Sequence, residues 1–170
     1  DLASMWPRIY DEGNSLLQNL LAITVPMIAA VNGPALIHAE IAVLCDIVLA
    51  AETAEFADLA HFPNGTVPGD GVHVVWPMLL GPNRGRYFLL TGERIGAQGA
   101  QRLGFVAEVL PGEELLFRAR TLAQQIAAAP AGALRYTRSL LVRELRRGMQ
   151  DELASGLAHE ALATLVSYPK

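Results

Sequence analysis

A handful of polar side chains stand where their types and spacing could do chemistry. His61 precedes Phe62-Pro63 in a stretch rich in glycine and proline, and Asp70 follows nine residues later within Gly69-Asp70-Gly71. Such a pair can act as a base and its orienter, the carboxylate holding one ring N–H so that the other nitrogen accepts a proton. His38 lies in the apolar run Ala35-Leu36-Ile37-His38-Ala39, just after Asn32-Gly33-Pro34. A histidine there is either a hydrogen-bonded core residue or a proton carrier. Glu160 comes eleven residues after Met149 and returns to almost the same helical angle, on the stripe of Met149, Leu153, Leu157 and Thr164. A charge on that stripe needs a partner or a cavity, unless the helix rotates after Gly156 and leaves Glu160 in solvent. His73, in His73-Val74-Val75-Trp76, reads as packing.

Other chemistries find little support. The histidines at 38, 61, 73 and 159 show no HExxH or comparable ligand spacing, so no metal is expected. There is no G-x-S-x-G elbow, no G-x-G-x-x-G and no Walker sequence. One cysteine, Cys45, excludes an internal disulfide and fits a reducing, cytoplasmic setting. The net charge of −4 argues against a nucleic-acid surface. Arg143, Arg146 and Arg147 read as the solvated face of an amphipathic helix.

The elements that must position these groups follow from patterning. With 52% hydrophobic and 18% charged residues, the chain of 170 residues has the composition of one folded unit. Trp6 to Leu21 has helical spacing, with Ser4 as a cap and Pro7 in the first turn. Met27–Val31, Ile47–Ala51 and Val106–Leu110 read as buried strands. Leu115–Ala128 and Ala133 to about Val166 read as helices, the second broken or kinked near Gly148 or Gly156. Between them, residues 56–82 form a loop region of the kind that carries function. The sum is an α/β chain with short parallel strands and a helical last third. The longest uncharged stretch, Leu16–Ile37, is cut by Pro26 and Asn32-Gly33-Pro34, so no membrane span is expected. No signal peptide is visible, and a chain starting at Asp1 rather than methionine is expected to be a fragment or processed product.

Several segments in order resemble the crotonase superfamily, the enoyl-CoA hydratase and isomerase fold. They are Pro26-Met27-Ile28-Ala29-Ala30-Val31-Asn32-Gly33, Cys45-Asp46-Ile47-Val48-Leu49-Ala50-Ala51, Gly65-Thr66-Val67-Pro68-Gly69, Leu89-Leu90-Thr91-Gly92 and Ala97 to Val109. The resemblance implies a ββα spiral core over residues 1–130 and a helical trimerisation region over 131–170. It also implies N-terminal strands that precede this stretch in the family and are missing here, together with the oxyanion-hole N–H and the tryptophan they supply. Where hydratases carry a glycine run, this chain reads Ile37-His38-Ala39; their second catalytic glutamate falls at His61 and their first near Glu40.

The segments His61-Phe62-Pro63, Pro68-Gly69-Asp70-Gly71, His73-Val74-Val75-Trp76-Pro77, Asn83 to Leu90 and Gly156 to Leu162 look more like the β-diketone hydrolases related to oxocamphor hydrolase. In that subgroup the functional positions correspond to His38, His61, Asp70 and Glu160. The expected reaction is hydrolysis of a carbon–carbon bond in a cyclic β-diketone, giving a keto acid without CoA, metal or redox cofactor. His61 oriented by Asp70 would activate water, His38 would donate to a carbonyl oxygen, and Glu160 would orient or proton-couple to a histidine. Alternatively His61 holds the carbonyl while Asp70 or Glu160 binds the water. The expected partners are a small-molecule diketone and further copies of the chain, as a homotrimer or a dimer of trimers. Two other outcomes follow from the same segments: an acyl-CoA hydratase or isomerase using Glu40, or a truncated, non-catalytic assembly subunit.

Overall fold

The computed structural model describes residues 2–167. Helix α1 (Leu2–Ala22) leads into strand β1 (Ile28–Val31), the short helix α2 (Glu40–Val43) and strand β2 (Ile47–Ala51). Strand β3 (Glu55–Phe56) and a 3-10 turn (Phe62–Asn64) precede helices α3 (Val72–Leu80) and α4 (Pro82–Thr91). Then come β4 (Ile95–Gly96), α5 (Ala97–Arg102), β5 (Glu108–Leu110) and three helices, α6 (Gly112–Ala127), α7 (Ala131–Leu141) and α8 (Arg143–Ser167).

Strands β1, β2 and β5 form a parallel sheet with β2 in the middle, Ile28 opposite Ile47 and Leu49 opposite Glu108. A central parallel strand is covered on both faces and therefore reads as an unbroken apolar run. Val48 and Ala50 enter the main core with Phe56, Trp76, Phe88, Met149, Leu153 and Leu157. Leu49 and Ala51 face the other way, onto Leu115 and Ala119 of α6. Trp76 anchors the main core, its ring 4.4 Å from Phe88 and 5.4 Å from Phe105. An antiparallel pair, β3 with β4, was not anticipated from sequence; at two residues each, neither strand shows a periodicity.

Several expectations need correction: residues Val72–Leu80, inside the stretch expected as loop, form helix α3. Helix α1 begins at Leu2, so Ser4 lies inside it rather than capping it, and Pro7 falls in the second turn. The break in the last helical third falls at Val142, where the backbone leaves helical geometry at φ −89° and ψ 4°. Helix α8 runs unbroken through Gly148 and Gly156 for 25 residues, because an isolated glycine costs only about 1 kcal/mol in a helix held by tertiary packing. Of the arginine run, Arg143 and Arg147 are exposed, but Arg146 donates from Nε to the Leu21 carbonyl at 2.8 Å, holding the end of α1. No helix among the described residues is long and apolar enough to cross a membrane.

The start of the sheet is held by one buried ion pair. Asp46 Oδ2 accepts the Met27 N–H at 2.7 Å and the Arg138 Nε–H at 2.7 Å. Arg138 is 1% exposed and also donates to the Leu21 and Ile23 carbonyls. Removing one partner of such a pair strands a charge, at about 3–5 kcal/mol. Arg138→Ala should therefore lose that much stability in urea titration, whereas Arg143→Ala on the exposed face should stay within roughly 0.5 kcal/mol. Equal losses would contradict the clamp.

Candidate active site

The turn from β1 into α2, the loop after β3, the loop before α3 and helix α8 meet at one point. Backbone pairing brings the first two together: the Ala35 N–H donates to Glu55 O at 2.7 Å, Ala57 to Ala35 O at 3.1 Å and Leu59 to Leu36 O at 3.0 Å. His38 follows in left-handed backbone conformation at φ 55°. For a side-chain-bearing residue that conformation costs on the order of 1 kcal/mol, although histidine tolerates it better than most. His61 starts the 3-10 turn, its carbonyl accepting the Asn64 and Thr66 N–H groups at 2.8 and 3.2 Å. Asp70 sits before Gly71, whose φ is 100° and where a Cβ would lie 2.7 Å from Leu17 Cδ1. Only glycine fits that turn, and it aims Asp70 at the two histidines.

All four residues singled out in the sequence come together. Asp70 Oδ2 lies 3.1 Å from His38 Nδ1 and 3.4 Å from His61 Nε2, so one oxygen faces both imidazoles. Glu160 Oε1 stands 3.8 Å from His61 Nε2. Helix α8 keeps its phase after Gly156, and the Glu160 side chain is 15% exposed. The rings of His38 and His61 meet edge to face, centroids 6.5 Å apart.

Two further carboxylates complete the cluster. Asp58 Oδ1 lies 2.7 Å from His61 Nδ1, with both side chains almost fully buried. The orienter of His61 is therefore Asp58, and Asp70 sits on the opposite, site-facing nitrogen. Asp58 escaped the sequence reading; an acidic residue amid Phe56-Ala57 and Leu59-Ala60, one turn before a histidine, was the available signal. Glu40, 2% exposed, approaches His38 Nδ1 at 3.1 Å. His73 packs in the first turn of α3 beside Gly156, its pKa lowered by burial. His159 is exposed, donating from Nδ1 to the Ser155 carbonyl at 2.7 Å.

Charge balance follows from this geometry. The hydrogen bonds from His38 to Asp70 and Glu40 raise its pKa to about 10 against the opposing effect of burial. Burial likewise works against a charged His61, but the hydrogen bonds to Asp58 and Asp70 outweigh it and raise that group to about 10. Burial would push Asp70 up, yet its two histidine hydrogen bonds take it well below the carboxylate range. Glu160 has no such close donor, and burial raises it to about 7. Burial also raises Glu40. At neutral pH both rings are imidazolium, and Glu160 is the carboxyl poised to exchange a proton.

His38, Glu40 and Asp70 offer ligand atoms within 4.8 Å of one another. A cation there would have to displace the Nδ1 proton that already holds both carboxylates. An apolar cavity of 530 Å³ between β1 and α6 and one of 590 Å³ around Arg84 and Arg102 contain none of the clustered groups.

The family model of enoyl-CoA hydratase/isomerase matches residues 7–163. The chain belongs to that family. It has the crotonase fold and is similar to a β-diketone hydrolase from the cyanobacterium Anabaena, solved bound to (S)-3-oxocyclohexyl acetic acid. The two share 47% identity and a TM-score of 0.94, over 98% of this chain and 67% of that one. An enoyl-CoA hydratase/isomerase structure from Mycobacterium paratuberculosis is 31% identical, with a TM-score of 0.88 over 95% of this chain and 64% of that one. Among curated relatives, the 2,3-dehydroadipyl-CoA hydratase of Escherichia coli is 36% identical over 94% of this chain and 60% of its own length. A probable enoyl-CoA hydratase of Mycobacterium bovis is 34% identical over 83% of this chain. The chain spans little more than half the length of these two crotonases, 53% of the mycobacterial one.

The Asp58–His61 contact makes a direct prediction. Asp58→Asn should lower the His61 pKa from about 10 and leave His38 unmoved, read from imidazole NMR shifts across pH. A His61 pKa unchanged by that substitution would remove Asp58 as its partner.

Proposed function

We propose that this crotonase hydrolyses a carbon–carbon bond of a cyclic β-diketone, giving a keto acid. The observation that supports it most is the single Asp70 oxygen between two protonated imidazoles, with Glu160 opposite at 3.8 Å from His61. A β-diketone offers two carbonyl oxygens that gain negative charge in turn, and two cationic donors beside one titrating carboxyl suit that sequence.

Glu160, as carboxylate, takes a proton from water while the water oxygen bonds to one carbonyl carbon. The half-exposed His38 ring, its Nδ1 engaged by Asp70 and Glu40, presents Nε2–H to the resulting oxyanion. The bond to the central carbon then breaks, its electron pair passing to that carbon as an enolate whose oxygen shares the His61 Nε2–H with Asp70, the longer of the two Asp70 contacts at 3.4 Å. Glu160 returns its proton to the carbon. Water activation thus falls to Glu160 rather than His61, because an imidazolium with a pKa of about 10 has no lone pair to offer at neutral pH. Asp58 and Asp70 act through the histidines, keeping them charged and oriented.

The acid bound in the Anabaena structure is compatible with such a reaction, since 3-oxocyclohexyl acetic acid has the composition of bicyclooctane-2,6-dione plus one water. Acyl-CoA hydration is the second reading, favoured by the names of the curated relatives. Against it, the carboxylate nearest their first glutamate, Glu40, is 2% exposed and already bonded to His38. Residues 131–170 would serve assembly as a trimer or dimer of trimers, presenting exposed Tyr136, Leu140, Leu141, Leu162 and Val166.

Incubation with bicyclooctane-2,6-dione should consume the diketone and form keto acid; hydration of crotonyl-CoA with no loss of diketone would overturn the proposal. Turnover should rise through pH 7 as Glu160 ionises and fall near pH 10 as the imidazoles lose their protons. Glu160→Gln should cut turnover by about 10²–10⁴-fold, the usual size for lost acid–base help. Its stability effect has a definite sign. A carboxyl raised to about 7 in the fold binds more protons folded than unfolded, so its contribution to stability falls as pH rises from its ordinary value through 7. The variant should match the parent's melting temperature at pH 4.5 and exceed it at pH 8. Normal turnover with a lower melting temperature would make Glu160 structural.

A further inference from the structure

We propose that Gly156 is a positioning residue for the site: lacking a side chain, it lets α8 rest on the Gly69 carbonyl, and this backbone contact sets Glu160 against His61 and Asp70. A Cβ built on Gly156 would lie 2.2 Å from Gly69 O and 2.3 Å from His73 Cε1. The contact is reciprocal, since a Cβ on Gly69 would lie 2.2 Å from Gly156 O and 2.9 Å from Glu160 Cβ. Both distances are far inside van der Waals contact, and the obstacle on each side is main chain, which cannot swing away. Two glycines from distant parts of the chain therefore meet where no other residue fits.

Each glycine sits next to a member of the cluster. Gly69 precedes Asp70, and Glu160 is four residues after Gly156, one turn on and on the same helix face. The same contact thus fixes the carboxylate that holds both histidines and the one that faces them. Gly148, two turns earlier in α8, differs: its Cβ would meet Val74 Cγ1 at 2.9 Å and Met78 Cε at 3.7 Å, side chains that can adjust. The loop and α8 touch once more through Thr66 Oγ1 and Thr164 Oγ1 at 3.4 Å. A methyl at Gly156 would force α8 outward by roughly 1 Å, a displacement able to cost about 10²-fold in rate.

The assignment deepens the diketone-hydrolase proposal, but its test needs no substrate. Glu160 feels the charges of His61, Asp70, His38 and Asp58, and its environment is reported by the ¹³C shift of its carboxyl carbon across pH. In the parent chain it should titrate near 7. Gly156→Ala should shift it down toward an ordinary carboxyl value as water enters beside the displaced helix, while Gly148→Ala leaves it in place. Where the diketone is a substrate, Gly156→Ala should also lower kcat by about 10²-fold with KM little changed. Thr66→Ala with Thr164→Ala removes the other contact without crowding the helix and should leave the titration near 7. If that double variant lowers the Glu160 pKa, or if folded Gly156→Ala titrates like the parent, the proposal is wrong. If Gly156→Ala fails to fold, the threonine variant decides alone, an unchanged titration supporting the glycine contact and a lowered one overturning it. Loss of diketone turnover in the parent would bear on the reaction and leave this titration untouched.

Discussion

One carboxylate oxygen facing two imidazoles is the constraint on which the rest of the site depends. Asp70 Oδ2 reaches His38 at 3.1 Å and His61 at 3.4 Å. It helps keep two neighbouring histidines, one half-exposed and one buried, charged together, since like charges so close would otherwise drive one proton off. Asp58 and Glu40 add a second carboxylate to each ring. Glu160 is left without a strong donor and so stays near neutrality. Its availability for proton transfer is a consequence of where the other carboxylates are committed.

The fold serves this cluster by bringing four separate segments to one place with little freedom. Pairing of residues 35–36 with 55–59 sets the two histidine loops side by side, Gly71 turns Asp70 inward, and α8 delivers Glu160 on an unbroken helix. The buried Asp46–Arg138 pair holds the start of the sheet and the end of α1. His38 keeps the left-handed backbone that suits the glycine run expected of hydratases at this point. A side chain able to carry a charge thus stands where the relatives are expected to use bare backbone.

Much of this was legible in the residues. The strand Ile47–Ala51 was visible as an apolar run because both its faces are covered, and Glu160 was visible because α8 holds one helical phase from Met149 to Thr164. The ordered segments shared with the crotonases supplied the topology that periodicity alone leaves open. What escaped has physical causes. Asp58 lies in a loop without periodicity, so only its apolar neighbours and the histidine one turn on hinted that its side chain is buried. The break at Val142 carries no glycine or proline, whereas Gly148 and Gly156, which looked like breakers, are contact points on a continuous helix. Asp70 does meet His61, but on the site-facing nitrogen, because distance along the chain does not say which ring nitrogen a carboxylate meets.

The shared oxygen is tested most directly by titrating both histidines in Asp70→Asn by NMR, beside the parent chain. Both rings should start near 10, and both should fall in the single variant because one carboxylate supports each of them. A fall at one histidine alone, or at neither, would show that Asp70 is not shared and would contradict the site as described.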